Sequence, residues 1–208
     1  MSVMRITETN LNEVLLVAVA TLQAGGIVAY PTETFYGLGV KFDLENSLRR
    51  LCDIKRRPKG KAMPIIIGSR IELSLISGYI NEAAESLIER FWPGPLTILV
   101  PAKENISEWI TAGTSMVAVR IPGESFALQL AKHAGFPLTS TSANPSGLPP
   151  ALDAGTVKEY FQDKIDLIVD GGKAPGGLPS TIADTEGNRI RILREGALES
   201  NLILPPKL

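Results

Sequence analysis

The stretch Gly25-Gly26-Ile27-Val28-Ala29-Tyr30-Pro31-Thr32-Glu33-Thr34-Phe35-Tyr36-Gly37-Leu38-Gly39 carries the reading of the fold. The glycine pair stops a helix that opens at Asn10, where Asn10 and Glu13 have the spacing of a capping box. Residues 27–30 are apolar and read as a short buried strand, which Pro31 ends. Hydroxyls at Thr32 and Thr34 follow at once. A helix, a buried strand and a polar strand end in succession are the unit of an α/β sheet protein, where ligands gather at strand ends.

The same alternation continues outward. Asp43 is placed to cap a helix with Leu44, Leu48, Leu51 and Cys52 on one face, closed by Pro58. Residues 64–67, 96–100, 116–121, 138–141, 167–170, 181–184 and 189–193 read as strands, the last two as a closing pair. Helices are expected at 82–92, at 124–133 before Gly135, and around 157–161. There is no repeat and no break in composition, so a single domain over 1–208 is expected, with 202–208 as a loose tail.

Of 208 residues, 44% are hydrophobic and 21% charged, which suits a globular chain with a sizeable core. The net charge of -1 gives no global reason for tight nucleic-acid binding, so any basic surface must be local. The single cysteine cannot form an intramolecular disulfide, and no Cys/His cluster has metal-site spacing. Residues 1–5 lack the apolar core of a signal peptide, and 11–22 is too short and too polar to span a bilayer. A cytoplasmic protein without a membrane partner is the expectation.

Several catalytic motifs are absent. Lys61 and Lys173 follow glycines but lack the rest of a phosphate-binding loop, and Gly37-Leu38-Gly39 is two-thirds of a dinucleotide fingerprint. No HExxH or GxSxG occurs, and His133, the one histidine, lies near a helix C-terminus where a dipole contact explains it. Cys52 and Trp92 read as packing. Nothing in the sequence brings Glu33 and Asp53 together as an acid–base pair.

What remains is a series of strand ends rich in hydroxyls and cations. Lys55-Arg56-Arg57-Pro58-Lys59-Gly60-Lys61 is on one reading a solvated charge run at a helix end. On the other, Pro58 holds Arg57 extended, so Lys55 and Arg57 can converge on a phosphate chain as a point charge and a planar fork. Arg120, in the apolar run Val117-Ala118-Val119-Arg120-Ile121-Pro122, is a sheet-edge charge or, more in keeping with its neighbours, a partly buried anion partner. Thr139-Ser140-Thr141-Ser142-Ala143-Asn144, Pro179-Ser180-Thr181-Ile182-Ala183-Asp184 and Ile192-Leu193-Arg194-Glu195-Gly196 complete the set. Such a site works by charge neutralisation and positioning, as in nucleotidyl transfer.

These motifs, in this order from about Gly25 to Gly196, resemble the YrdC-like family of threonylcarbamoyl-AMP synthases, whose signature pairs Lys-x-Arg with a later Ser-x-Asn. The resemblance implies a twisted mixed sheet with flanking helices and a positively lined concave cleft. It implies an enzyme joining L-threonine, bicarbonate (or carbon dioxide) and ATP into threonylcarbamoyl-AMP and pyrophosphate, for a separate transferase that modifies tRNA. Carried over by position, Lys55 and Arg57 are the catalytic pair. Lys55, Lys59, Ser142, Asn144 and Arg194 face ATP, while Thr32, Arg120, Ser140 and Ser180 hold threonine. Mg²⁺ rides mainly on the phosphates, with no protein metal site.

One segment departs from the family pattern. Many members carry Ser-Pro-Thr where this chain has Pro150-Ala151-Leu152, so two hydroxyls near ATP are missing and Pro150 has no N–H. A redirected carbamoyl-adenylate-forming paralogue therefore stands as one alternative, to be separated by threonine dependence. An RNA-binding, translation-associated role is the other, disfavoured by the mild acidity and the lack of an aromatic stacking motif.

Overall fold

The structure is a computed structural model that describes residues 1–58 and 60–204. Its strands are β1 (Ser2–Arg5), β2 (Val28–Pro31), β3 (Tyr36–Gly39), β4 (Ile65–Ile66), β5 (Leu96–Pro101), β6 (Met116–Arg120), β7 (Leu138–Thr139), β8 (Thr141–Ser142), β9 (Leu167–Asp170), β10 (Thr181–Asp184) and β11 (Arg191–Arg194). The helices are α1 (Leu11–Gln23), α2 (Glu45–Lys55), α3 (Leu73–Ile76), α4 (Glu82–Phe91), α5 (Glu108–Thr111), α6 (Phe126–Ala134), α7 (Ala154–Phe161) and α8 (Ser200–Ile203).

The strands form two mixed sheets, ordered β1-β9-β2-β3-β8 and β11-β10-β5-β6-β4-β7. They are joined through the segment that carries β7 and β8. Residues 138–142, expected as one strand, divide at Ser140: β7 pairs with β4 in the second sheet, and β8 with β3 in the first. The join is reinforced by Thr139 N–H donating to Val40 O at 3.0 Å and by a bridge between Lys41 and Leu138.

The expected strand 27–30 is buried on both faces. Val28 and Tyr30 enter one cluster with Leu15, Leu22, Leu130 and Leu167, beneath α1 and α6. Ile27 and Ala29 enter the larger cluster, which α2, α4 and α7 cover. Side chains alternating between two apolar layers explain why the run shows no polar face.

Some local expectations give way to tertiary contacts. Asn10 does not cap α1 through its side chain, which instead accepts from Thr7 N–H at 2.8 Å and donates to Arg5 O at 2.9 Å, tying the helix to β1. Asp43 pairs with Lys41 at 2.8 Å, and the cap position of α2 falls to Leu44. The helix expected from 124 begins at Phe126, because Ser125 caps it through Leu128 N–H. The tail is not loose throughout: Ile203 is buried, and Leu202 O accepts from Arg90 at 2.8 Å. Gly37 and Gly39 lie in β3, and their lack of side chains serves packing. A Cβ on Gly39 would stand 2.8 Å from Thr139 O and 3.0 Å from the Tyr30 ring.

Candidate active site

The join between the sheets is where the polar strand ends meet. A cavity of about 400 Å³ is lined there by Thr32, Thr34, Arg57, Lys61, Thr97, Arg120, Ser140, Thr141, Ser142, Pro150, Ser180 and Arg194, among others. A larger one, about 590 Å³, lies between α2 and α5 against Cys52 and Trp109. Among the described residues it holds none of the expected site residues and shares only Lys61 with the first, so the chemistry is assigned to the smaller.

Thr32 stands at the turn between β2 and β3, and its hydroxyl first of all builds that turn. It donates to Phe35 O at 2.7 Å and accepts from Thr34 N–H at 3.2 Å. With its proton on Phe35 O, its second lone pair faces the Thr34 hydroxyl at 3.4 Å, a long contact that a ligand's donor can displace. Beneath it lies Tyr30, whose phenol burial pushes up to about 12 despite the neighbouring Ser140 hydroxyl and Arg120 cation. Tyr36 is likewise pushed to about 12, chiefly by burial. Its hydroxyl donates to Gly172 O at 2.7 Å and accepts from Gly171 N–H at 3.1 Å, pinning the glycine-rich loop that leads to Ser180. Both phenols are neutral framework groups.

Arg120 ends β6 at the cavity wall and forms an ion pair with Glu33 through Nη1 and Oε1. The second carboxylate oxygen of Glu33 is buried without a hydrogen-bond partner. Ser140, where the chain passes between sheets, donates its N–H to Pro64 O at 2.8 Å and turns its side chain to the cavity. On the facing side Ser180 and Thr97 share a hydrogen bond of 2.8 Å, and Arg194 donates to Ser180 O at 2.7 Å. Gly196 permits this arrangement: a Cβ there would fall 2.2 Å from Pro179 O.

The Lys-x-Arg pair divides its work. α2 ends at Lys55, Arg56 takes a left-handed conformation with φ of 51°, and the Arg57 N–H closes the helix end by donating to Cys52 O at 3.0 Å. Arg57 reaches the cavity, with Nε donating to Lys61 O at 2.9 Å, Nη1 to Thr141 Oγ1 at 3.4 Å, and Nη2 to Ala62 O. Lys55 does not line the cavity, contrary to expectation. It is 2% exposed, and its ammonium donates to Ser142 O and to Asn144 O, the latter at 2.7 Å. Burial above all, then the Arg57 and Lys61 cations, draw it down to about 7, while the two carbonyl acceptors favour the charged form.

Asn144 is also turned inward to structure, accepting from Ser142 Oγ at 2.6 Å and donating to Leu148 O. Lys55 and Asn144 thus shape the 142–148 turn that presents Ser142 and Pro150. Lys59 lies outside the described residues. Thr32, Arg57, Arg120, Ser140, Ser142, Ser180 and Arg194 come together as expected. Thr34 and Lys61, from the hydroxyl and cation runs but given no role by the sequence, join them, and Thr97 joins unannounced, although in the apolar run Leu96-Thr97-Ile98 it carries the same kind of signal as Arg120.

Comparison with known proteins places this geometry. A threonylcarbamoyl-AMP synthase of Pyrococcus abyssi is 40% identical over 182 residues, covering 88% of this chain and 54% of its own length. A threonylcarbamoyl-AMP synthase of Marinobacter nauticus is 35% identical over 171 residues, covering 82% of this chain and 90% of its own. The chain therefore spans about half the length of the first relative and nearly all of the second. Among solved structures, Pyrococcus abyssi Sua5 complexed with L-threonine superposes with a TM-score of 0.92 at 37% identity, over 98% of this chain and 60% of that one. The Sua5–YciO–YrdC family model, described as "Telomere recombination", matches residues 20–196. Matched over most of its length by that model and by relatives at this identity, the chain belongs to the Sua5–YciO–YrdC family.

Proposed function

We propose that this chain is an L-threonylcarbamoyladenylate synthase, converting L-threonine, bicarbonate or carbon dioxide, and ATP to threonylcarbamoyl-AMP and pyrophosphate. The observation that carries the reading is the composition of one cavity wall: Arg120 among Thr32, Thr34, Ser140 and Ser180, facing Arg57, Lys61 and Arg194. A hydroxylated amino acid is held through its carboxylate by Arg120 and through its hydroxyl by the Thr and Ser groups. Three cations remain for a polyphosphate. The names of the relatives and the threonine complex of the Pyrococcus protein support the same assignment.

The chemistry asks for placement more than for proton transfer. The neutral amine of threonine attacks carbon dioxide to give a carbamate, releasing a proton to solvent, and a carbamate oxygen attacks the α-phosphorus while pyrophosphate leaves. Arg57, Lys61 and Arg194 oppose the charge on the phosphates and on the departing pyrophosphate. Lys55 acts on the site through the turn it ties, as a positioning residue. Magnesium fits as an ion brought by ATP, since the cavity wall offers hydroxyls and cations, and no group of three or more His, Cys, Asp or Glu stands together among the described residues. When bound, it neutralises phosphate charge. The product adenylate then passes to a separate transferase acting on tRNA.

The test is pyrophosphate release by the purified chain with ATP, Mg²⁺, bicarbonate and L-threonine, each omitted in turn. Release that needs all four, and threonylcarbamoyl-AMP identified by mass spectrometry, is the expected result. ATP binding without threonine-dependent release sinks the assignment in favour of a redirected member of the family.

A further inference from the structure

We propose that Glu33 is a positioning residue for Arg120: it grips one nitrogen of the guanidinium and so aims the remaining N–H groups at the carboxylate of the amino acid. The inference rests on the reading of Arg120 as the amino-acid anchor, and four observations carry it.

The pair is sheltered, with the Arg120 side chain 12% exposed and that of Glu33 19% exposed, so solvent screens it little. Among the described residues Glu33 is also the only hydrogen-bond partner of the Arg120 side chain. Arg57 instead rests on Lys61 O, Thr141 Oγ1 and Ala62 O, and Arg194 on the carbonyl and hydroxyl of Ser180. Those two keep their places if one contact is lost, whereas Arg120 has no second tether.

The contact is one-pronged as well. A carboxylate and a guanidinium free to settle pair through two parallel hydrogen bonds. Here only Nη1 and Oε1 meet, Oε2 is left buried without a partner, and Nε and Nη2 of Arg120 have no protein acceptor among the described residues. Half of the fork is thereby reserved for a second carboxylate in a cavity that Arg120 lines. Finally, Glu33 cannot drift from its post. The turn that carries it is closed by Thr32 N–H donating to Phe35 O at 3.1 Å and by the Thr32 hydroxyl bridging Phe35 O and Thr34 N–H.

The experiment follows Arg120 itself in the full chain without ligand, by ¹⁵N relaxation of its Nε–Hε group, assigned from its loss in Arg120→Lys. The group is expected to be rigid in the parent protein, mobile in Glu33→Ala, and largely rigid again in Glu33→Gln, whose amide oxygen still accepts from Nη1. In the pyrophosphate assay, Glu33→Ala is expected to raise KM for L-threonine by about tenfold, as an anchor left to find its own orientation binds more weakly. KM for ATP and kcat should change little. Equal rigidity of Arg120 with and without Glu33 overturns the proposal, and so does a mobile Arg120 with unchanged KM for threonine. A uniform loss in every kinetic constant with a lowered melting temperature also overturns it, as a purely structural role would. Loosening of Arg120 in a protein that never turns over threonine upholds the tether and refutes the threonine reading instead.

Discussion

Lys55 offers a sharp test of how the site is held. Its folded-state pKa of about 7 lies below the ordinary 10.5, so between these values the unfolded chain binds more protons than the folded one. Stability therefore rises with pH through this window. The gain is complete above the unfolded value and the penalty is complete below about pH 7. Integrated from pH 7 to 9.5, the linkage amounts to about 3 kcal/mol, an upper figure because the carbonyls of Ser142 and Asn144 reward the ammonium. The assay is urea unfolding of the parent protein and Lys55→Met at pH 7.0 and 9.5, comparing the change with pH and not the absolute stabilities. Groups that do not sense Lys55 cancel in that difference; the Cys52 thiol, pushed up by burial but drawn down in part by Lys55, does not, so both proteins carry Cys52→Ala. The parent is expected to gain up to about 3 kcal/mol over the variant as pH rises. A difference that stays flat, or one of opposite sign, would show that the carbonyl bonds outweigh burial and would refute the argument.

Replacing Arg120 by Ala removes a charge-assisted contact of about 2–3 kcal/mol and should raise KM for L-threonine roughly 30- to 160-fold while KM for ATP barely moves. Thr32→Val deletes the hydroxyl that joins Phe35 O to Thr34 N–H; a loss of about 1–2 kcal/mol in urea unfolding is expected, with Thr32→Ser restoring most of it. Gly196→Ala drives a methyl into Pro179 and Ser180, and should cost about 1–3 kcal/mol by calorimetry and weaken ATP as Ser180 and Arg194 shift. Chelating magnesium with EDTA should abolish pyrophosphate release while leaving the melting temperature of the ligand-free chain unchanged, since the ion arrives with the nucleotide.

The interleaving of helices and strands was legible because burial writes itself into runs such as Ile27–Tyr30 and Met116–Arg120. β1 was not, because Ser2–Arg5 is a short edge strand that stays largely exposed and carries no apolar signature. β3 escaped notice for the opposite reason: its two glycines look like a ligand loop, although they are there to let Thr139 and Tyr30 approach. The break at Ser140 could not be read either, since a strand that changes sheets has the same composition as one that does not. At the site, residue types pointed to Arg57, Arg120 and the hydroxyls, which the fold brings to one cavity. They could not say which way a cation turns. Lys55 and Arg57 look alike in the sequence, and only the left-handed Arg56 between them sends one into the scaffold and the other to the cavity. Glu33 was passed over because its meaning depends on Arg120, 87 positions away.

The cavity straddles the line where β7 gives way to β8, with Thr32 and Thr34 contributed by one sheet and Arg120, Thr97 and Arg194 by the other. Neither half of the chain contains a binding site in miniature. During synthesis the parts emerge in the order of the chain, and the last of them, Arg194, follows the first by some 160 residues. A nascent chain thus stays inert toward its ligands until Arg194 has been made. Ligands that bind across the line can favour only molecules that already carry both sheets, and shorter products gain nothing from them.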